Sequence, residues 1–142
     1  MREQKRNAII LSASLGALSK SENVERHLRL SRMLGDIDVP FMVVVHGMYK
    51  GVRELSFLCV PKDETQYQIV INFAIDNFGQ ESVLLNIHQP TAELARGVYL
   101  CYGNIAESER IGSDMVNISA EEAQTLDAYT YRPDAGTYWV AQ

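Results

Sequence analysis

In residues 7–87, segments with the apolar spacing of β-strands alternate with segments that have the apolar spacing of α-helices. This order restricts the fold more than any other feature of the sequence. Four segments are continuously apolar or alternate with a period of two, which is typical of β-strands. Two segments between them carry apolar residues at helical spacing behind residues that cap helices. The predicted strands are Asn7–Ser14, Val39–His46, Val52–Val60 and Val83–Ile87, and the predicted helices are Ser21–Leu34 and Thr65–Phe78.

The resulting order of strand, helix, strand, strand, helix, strand is the split βαβ pattern of ferredoxin-like folds. We therefore predict an α+β fold, a two-layer sandwich with the helices on one face of an antiparallel sheet and the other face open. Because the strands are apolar, we expect a partner to cover that open face, and a homotrimer is a common solution for this fold. The apolar strand residues are Ile9, Leu11, Val43, Val45, Leu58, Val83 and Leu85.

Local signals predict where the elements begin and end. Ser19 and Glu22 form a capping-box pair, and Asp63 or Thr65 caps the second helix. We expect the first helix to end with Gly35 at its C′ position and the second to end at Gly79. The turn of the hairpin is predicted over Gly47–Gly51, where two glycines supply turn chemistry.

The second part of the chain gives weaker signals. We predict a fifth strand over Ala92–Tyr102, with Gly97 as a β-bulge, and a loop over the polar residues Asn104–Asp114. A short strand over Met115–Ile118 and a short helix from Ser119 to Leu126 follow. The tail from Tyr129 holds three of the seven tyrosines and the one tryptophan, so we expect it to dock on its own domain or on a neighbouring subunit.

Length and charge limit the function classes. A chain of 142 residues has the length of one domain, and we interpret residues 1–142 as a single domain. The net charge of −5, from 13 basic and 18 acidic residues, argues against a nucleic-acid-binding protein. Apolar runs such as Phe41–Val45 are far shorter than the ~20 residues of a spanning helix, so we expect no membrane association. The charged N-terminal residues precede no long apolar segment, which predicts a cytoplasmic protein without a signal peptide.

The cysteines and histidines do not form the patterns of metal sites. Cys59 and Cys101 lack the CxxC spacing, and we expect free thiols within strands. The histidines His27, His46 and His88 are scattered along the chain, so the sequence predicts no bound metal. The generic motifs of hydrolases, nucleotide-binding loops and zinc proteases are absent from the sequence as well.

Three short clusters remain as candidates for a functional site, and each also has a purely structural interpretation. Leu11–Ser14 ends a strand with small residues that permit close approach of a ligand, or it is a simple strand exit. Glu54 is a partly buried carboxylate at the start of a strand, or an exposed group paired with Arg53 or with an arginine of another strand. Gln80 and Glu81 lie where the second helix leads into a strand, and they either meet a ligand or form a solvated turn.

Taken in order, short motifs along nearly the whole chain resemble one family, the small bacteriophage-encoded enzymes that cleave S-adenosylmethionine. Each motif is weak alone, and the resemblance rests on their order and spacing. The matching motifs are Leu11-Ser-Ala13, Asn23-Val-Glu-Arg-His27 with Leu34, Gly51, Arg53-Glu54, Phe73-Ala74, Gln80-Glu-Ser-Val-Leu84, Gly97-Val-Tyr99 and Trp139-Val-Ala-Gln142.

The resemblance implies a fold, an assembly and a reaction. It implies a ferredoxin-like domain similar to PII-type regulatory proteins, assembled as a homotrimer with active sites between subunits. It also implies cleavage of S-adenosylmethionine to methylthioadenosine and homoserine lactone, or homoserine, without a cofactor. In an infected host this reaction would act in the cytoplasm, deplete the methyl donor and counter restriction–modification.

The resemblance also suggests roles for particular residues. Glu54 is the predicted catalytic residue, which holds the amine and sulfonium end of the substrate. Glu81 is predicted to hold the ribose hydroxyls, and Ser12, Ser14 and Gln80 to line the substrate pocket. The motif residues Asn23, Arg26 and His27 either contact the substrate or fix the helix to a neighbouring subunit.

Two other functions are compatible with the same sequence. A PII-like trimer can serve as a nucleotide-binding regulatory module without catalysis, and the lack of a generic catalytic motif agrees with that function. A protein that blocks a host enzyme through its surface is a third possibility. Incubation with S-adenosylmethionine distinguishes turnover, binding without turnover, and neither.

Overall fold

The computed structural model describes residues 6–142, which form one antiparallel sheet of nine strands with two longer helices on one of its faces. Residues 1–5 lie outside the described residues. The prediction that the chain has no signal peptide concerns these residues. The strands are β1 Ala8–Ser12, β2 Phe41–Tyr49, β3 Val52–Val60, β4 Val83–Ile87, β5 Gly97–Cys101, β6 Glu109–Gly112, β7 Met115–Ile118, β8 Ala128–Arg132 and β9 Thr137–Ala141. The helices are α1 Lys20–Asp36, α2 Glu64–Asn72 and α3 Ala120–Ala123, with a π-helical turn at Phe73–Asn77 and a 3-10 turn at Ile105–Glu107.

The strands lie in the order β6-β5-β4-β1-β3-β2-β8-β9-β7. The predicted order of the first six elements is confirmed, and their four strands are neighbours in the order β4-β1-β3-β2. β1 pairs antiparallel with both β3 and β4, with Ser12 opposite Ser56 and Ile10 opposite Leu84. The end of β1 therefore lies beside the beginnings of β3 and β4, at one end of the sheet.

The hydrophobic core lies between this sheet and the two longer helices. Alternate residues of each strand point toward the helices, so Ile9 and Leu11 of β1 are buried there with Phe57 and Cys59 of β3. The helices contribute Leu30 and other apolar residues from one face each. Cys59 and Cys101 are buried free thiols in β3 and β5, as predicted.

The two edge strands of the sheet come together, so the sheet is nearly barrel-like. β6 and β7 are consecutive in the chain, and the backbone N–H of Ser113 between them donates to the carbonyl of Gln142 at 2.6 Å. The prediction of an open sheet face was wrong, because the C-terminal strands cover much of that face themselves. Ile10 and Leu58 of that face line a cavity together with Trp139 of β9.

The apolar residues expected to form the open face divide between the two faces. Ile9, Leu11, Val83 and Leu85 belong to the helix-covered core, whereas Val43, Val45 and Leu58 share the opposite face. The aromatic tail docks on its own chain, because β8 pairs with β2 and β9 pairs with β8. The chain's own strands thus cover a surface for which the sequence had suggested a partner.

Both predicted caps of α1 and α2 are present, but α1 does not end at Gly35. Ser19 and Glu22 form the predicted capping box, and Asp63 caps α2. α1 continues to Asp36, and Asp38 adopts the left-handed conformation with φ of 56°, which a short polar side chain tolerates. The packing of Ile37 against the core explains why the helix continues past the glycine.

The β2–β3 hairpin is longer than predicted. β2 continues through Gly47 to Tyr49, and the turn consists of Lys50 and Gly51 with φ of 49° and 80°. Pairing with β3 on one side and β8 on the other satisfies the backbone of this segment, which explains why it remains extended.

The second part of the chain also departs from prediction. The fifth strand is shorter, Gly97–Cys101, and the predicted loop Asn104–Asp114 contains β6. The ladder between β5 and β6 is irregular after Val98, and the extra residue is Ile111 of β6 rather than Gly97. The strand Met115–Ile118 is confirmed, while the helix after Ser119 is only Ala120–Ala123. In residues 6–142, the helices are too short or too polar to cross a bilayer.

Candidate active site

The candidate site begins at the end of β1, where the chain turns toward α1. Ser12 and Ser14 are both buried at this point. The Ser12 hydroxyl donates to the carbonyl of Leu55 at 2.7 Å and accepts from the Ser14 backbone N–H at 3.0 Å. Ser12 therefore joins the loop to β3 through its hydroxyl.

Side chains from two other segments hold the same loop. Arg26 of α1 donates to the carbonyl of Ala13 at 2.6 Å, and Gln80 donates to the carbonyl of Ser14 at 2.7 Å. Asn23 forms a pair of hydrogen bonds with Leu15, accepting from its N–H at 2.9 Å and donating to its carbonyl at 3.0 Å. These three side chains give the loop a defined shape at the end of the sheet.

Glu54 lies at this end of the sheet, near the start of β3. It is half-buried and stands directly opposite Gly47 of β2. Among residues 6–142 the ion pairs are Arg96–Asp114 and Arg132–Asp134, so the alternative of an exposed Glu54 paired with Arg53 is not what the structure has.

Glu54 lines two cavities. One, of about 490 Å³, also contains Ser14, Asn23, His46 and Arg53. The other lies on the sheet face opposite the helices and has a volume of about 720 Å³. Its lining residues include Thr130, Tyr129 and Trp139. Glu54 thus borders both a cavity with charged and polar residues and a cavity with aromatic residues.

Two histidines lie near the first cavity, and burial lowers the pKa of each. The pKa of His46 is lowered by burial and by the positive charge of Arg53. The pKa of His27 is lowered by burial and by His46, and its ring stacks on Phe57 with centroids 4.2 Å apart. Burial and neighbouring positive charge disfavour the protonated form, so both rings favour the neutral state.

Glu81 is exposed in the turn before β4 and is not among the residues that line either Glu54 cavity. Tyr102 lies near Glu81. The pKa of Tyr102 is raised by a hydrogen bond to Glu109, by burial and by the negative charges of Glu109 and Glu81. Glu54 and Glu81 therefore lie at the same end of the sheet, and Glu81 stays outside the two cavities that Glu54 lines.

The predicted site residues are thus partly brought together. Ser14 and Glu54 share a cavity, Ser12 and Gln80 touch the loop behind it, and Glu81 lies apart. Three further residues of this cavity were not identified from the sequence, and these are His46, Lys20 and Arg53. The sequence predicts only that His46 ends a strand. The pairing of β2 with β3, which sets His46 opposite Leu55, shows that it lies next to Glu54. The cavity also includes Lys20 and Arg53, which with Glu54 suit a ligand that carries both signs of charge.

Comparison with known proteins agrees with this chemistry. A family model described as the S-Adenosylmethionine lyase family matches residues 9–142. No curated protein matches the chain closely enough to serve as a relative.

Proposed function

Because the chain belongs to the S-adenosylmethionine lyase family and is an enzyme that cleaves S-adenosylmethionine, we propose that it releases methylthioadenosine and homoserine lactone, with Glu54 as the catalytic residue. The observation that supports this proposal most directly is the half-buried Glu54 carboxylate, which lies beside Gly47 and lines two cavities. A carboxylate in such a position attracts a cation, and the substrate carries both a sulfonium and an ammonium group.

The proposed reaction needs no external reactant. One oxygen of the substrate's carboxylate attacks its own γ-carbon, the bond between that carbon and sulfur breaks, and the bonding electrons return to sulfur. The products are a neutral thioether, methylthioadenosine, and the five-membered lactone of homoserine. If water attacks the same carbon instead, it loses a proton and the second product is homoserine.

The protein accelerates such a reaction mainly through geometry and electrostatics. An oxygen of the substrate's own carboxylate must be held about 3–3.5 Å from the γ-carbon. The free substrate rarely adopts this conformation, and binding would make it the main one. Exclusion of water also favours the reaction, because water would stabilise the separated carboxylate and sulfonium charges of the substrate more than the transition state, in which they are partly neutralised. Lys20 and Arg53 give the same cavity positive charge, which would attract the substrate's carboxylate end.

For the ribose, we propose Glu81, contributed by a neighbouring subunit of a homotrimer. Within one chain Glu81 is exposed and lies outside the Glu54 cavities, so a second subunit is the simplest way to bring both carboxylates to one substrate. We also propose that the β4-β1-β3-β2 part of the sheet is a ferredoxin-like unit similar to PII-type proteins, since its strand order and antiparallel pairing agree with that pattern.

In a cell, an enzyme of this kind would lower the concentration of the methyl donor. We propose that its role is to counter host restriction–modification systems, which require S-adenosylmethionine. This role rests on the resemblance to bacteriophage enzymes stated above.

Chromatography of a reaction with S-adenosylmethionine tests the proposal. We expect methylthioadenosine to accumulate in equal amount with homoserine lactone. If homoserine is already the product at early times, the enzyme hydrolyses S-adenosylmethionine and the proposed lyase step is wrong. Saturable binding without products would support the regulatory module, and the absence of both binding and products would support a surface-acting interaction protein.

A further inference from the structure

The loop that leaves β1 is held by side chains at three consecutive carbonyl groups. The carbonyls of Ala13, Ser14 and Leu15 accept from Arg26, Gln80 and Asn23, respectively. Backbone groups in a loop of this kind are commonly satisfied by water or by the loop itself. Here the donors come from α1 and from the turn before β4, so the loop conformation depends on both elements.

Arg26 makes the central connection. Its guanidinium donates to the carbonyl of Ala13 and also to the carbonyl of Phe78 at 2.5 Å, and it lies 5.3 Å from the centre of the Phe78 ring. Both described ion pairs in residues 6–142 lie elsewhere, at Arg96–Asp114 and Arg132–Asp134. The two carbonyls belong to segments far apart in the sequence, so one side chain joins the end of β1 to the end of the π-helical turn.

Gln80 completes this connection from the other side. It follows Gly79, whose φ of 64° turns the chain, and its backbone N–H donates to the carbonyl of Ala74 at 3.0 Å. Its side-chain amide then donates to Ser14. The backbone and the side chain of Gln80 are therefore both engaged, and the side chain contacts the loop at Ser14.

We propose that Arg26 and Gln80 are positioning residues for the cleavage of S-adenosylmethionine, and that they act by holding the Ala13–Leu15 loop against the Glu54 cavity. Ser14 and Leu15 line that cavity together with Glu54. A reaction whose rate depends on placing two substrate atoms in contact is sensitive to small displacements of the cavity wall. This inference rests on the proposed function of the Glu54 cavity.

The test compares Arg26→Lys and Gln80→Met with a matched control, Arg29→Lys. Lysine keeps the charge of Arg26 but lacks the planar fork that reaches two carbonyls. Methionine keeps the approximate length of Gln80 and removes the donor. Arg29 lies on the same helix, 5.6 Å from the centre of the same Phe78 ring. Arg29→Lys therefore shows the effect of removing a guanidinium group from that ring without a change in the bonds to the loop.

We expect Arg26→Lys and Gln80→Met to lower kcat by about tenfold or more with KM changed by less than about threefold, since misplacement of about 1 Å can cost up to 100-fold. We expect Arg29→Lys to stay within about twofold of the wild type in both parameters. In the double variant Arg26→Lys with Gln80→Met, the loss should be smaller than the product of the single losses, because both side chains hold one loop.

Hydrogen–deuterium exchange supplies a readout that does not depend on turnover. The backbone amides of Ser14 and Leu15 should exchange faster in Arg26→Lys and Gln80→Met than in the wild type, and no faster in Arg29→Lys. Faster exchange with unchanged kcat would overturn the positioning role, and so would unchanged exchange. If the wild type itself does not cleave S-adenosylmethionine, both this inference and the proposed function fail, whereas an active wild type with unaffected variants refutes this inference alone.

Discussion

Glu54 and Gly47 stand directly opposite each other in the β2–β3 hairpin, so the residue across from the carboxylate has no side chain. A Cβ atom placed on Gly47 would lie 3.6 Å from the Ser56 hydroxyl and 3.8 Å from the carbonyl of Glu54, both ordinary contact distances. The backbone at this position therefore does not need glycine for steric reasons. Gly47 and Glu54 line the same cavity of about 720 Å³, so a side chain at position 47 would take up room in that cavity.

The first prediction concerns the charge of Glu54. Glu54→Gln keeps the volume and shape of the side chain but removes the negative charge. If Glu54 holds the cationic end of the substrate, turnover of S-adenosylmethionine should fall by at least about 100-fold, which corresponds to about 2.7 kcal/mol of transition-state stabilisation. Steady-state kinetics measures this loss, with circular dichroism to confirm the fold.

The control for that variant is Glu25→Gln, which removes one carboxylate from the exposed face of α1. We expect its activity to remain within about twofold of the wild type, because exposed charges contribute little. Near wild-type turnover of folded Glu54→Gln would show that another residue holds the substrate cation.

The second prediction concerns the space beside Glu54. Gly47→Val places a branched side chain opposite the carboxylate, on a strand where branched residues are favourable. We expect the protein to fold with a melting temperature near that of the wild type, while kcat/KM falls by about tenfold or more because the side chain occupies room that the substrate needs. Thermal unfolding and kinetics on the same preparation measure both effects. Unchanged kcat/KM would mean that the substrate does not use this space.

The third prediction concerns pH and His27. Burial first, and the nearby His46 second, lower the pKa of His27 below its usual value of 6.5. The unfolded chain therefore binds a proton more readily than the folded protein, so stability is greatest above about pH 6.5 and is lost as the pH falls through the lowered pKa. Urea unfolding at pH 7.5 and 5.5 should show a smaller free energy of unfolding at the lower pH.

His27→Phe tests this assignment. The His27 ring stacks on Phe57 with planes 7° apart, and its buried Nδ1 atom has no hydrogen-bond partner among the described residues. Phenylalanine keeps the stacked ring and removes the titration, so we expect stability at pH 7.5 within about 1 kcal/mol of the wild type and a smaller loss at pH 5.5. His27→Ala should instead cost about 2–4 kcal/mol at both values. An unaltered pH dependence in His27→Phe would place the titrating group elsewhere.

The fourth prediction concerns assembly and the origin of the two carboxylates. Light scattering should give about three times the 16.0 kDa mass of one chain at micromolar concentration. If each site takes Glu54 from one subunit and Glu81 from its neighbour, inactive Glu54→Gln and Glu81→Gln proteins should regain activity when unfolded and refolded together. Random assortment leaves about one quarter of the sites with both wild-type carboxylates.

Each variant refolded alone is the control for this mixing experiment and should stay inactive. A monomer in solution would contradict the shared site. A trimer that regains no activity on mixing would place both carboxylates in one subunit.

Local features of the sequence determined the elements of the first part of the chain. The capping box of Ser19 and Glu22 involves neighbouring residues, so it predicts the start of α1 without knowledge of the fold. The continuous apolar run Ala8–Leu11 likewise predicts a buried strand at this position, although it does not show which residues face the helices. The order of such elements was enough to predict the split βαβ pattern, and Glu54 was correctly expected near the start of the third strand.

Tertiary contacts decided what these local patterns do not contain. The polar segment Glu109–Gly112 becomes a strand because β5 offers it a ladder of backbone partners, not because its residues favour one. The nearly barrel-like sheet brings Ser113 to Gln142, and the fold brings Gln80 to Ser14, which is 66 residues away. The sequence by itself therefore determined the elements of the first part of the chain and the family. The folded chain decided which sheet face is covered and which predicted residues share a cavity. The physical reason is that contacts between distant residues depend on the relative placement of whole elements, which no local pattern specifies.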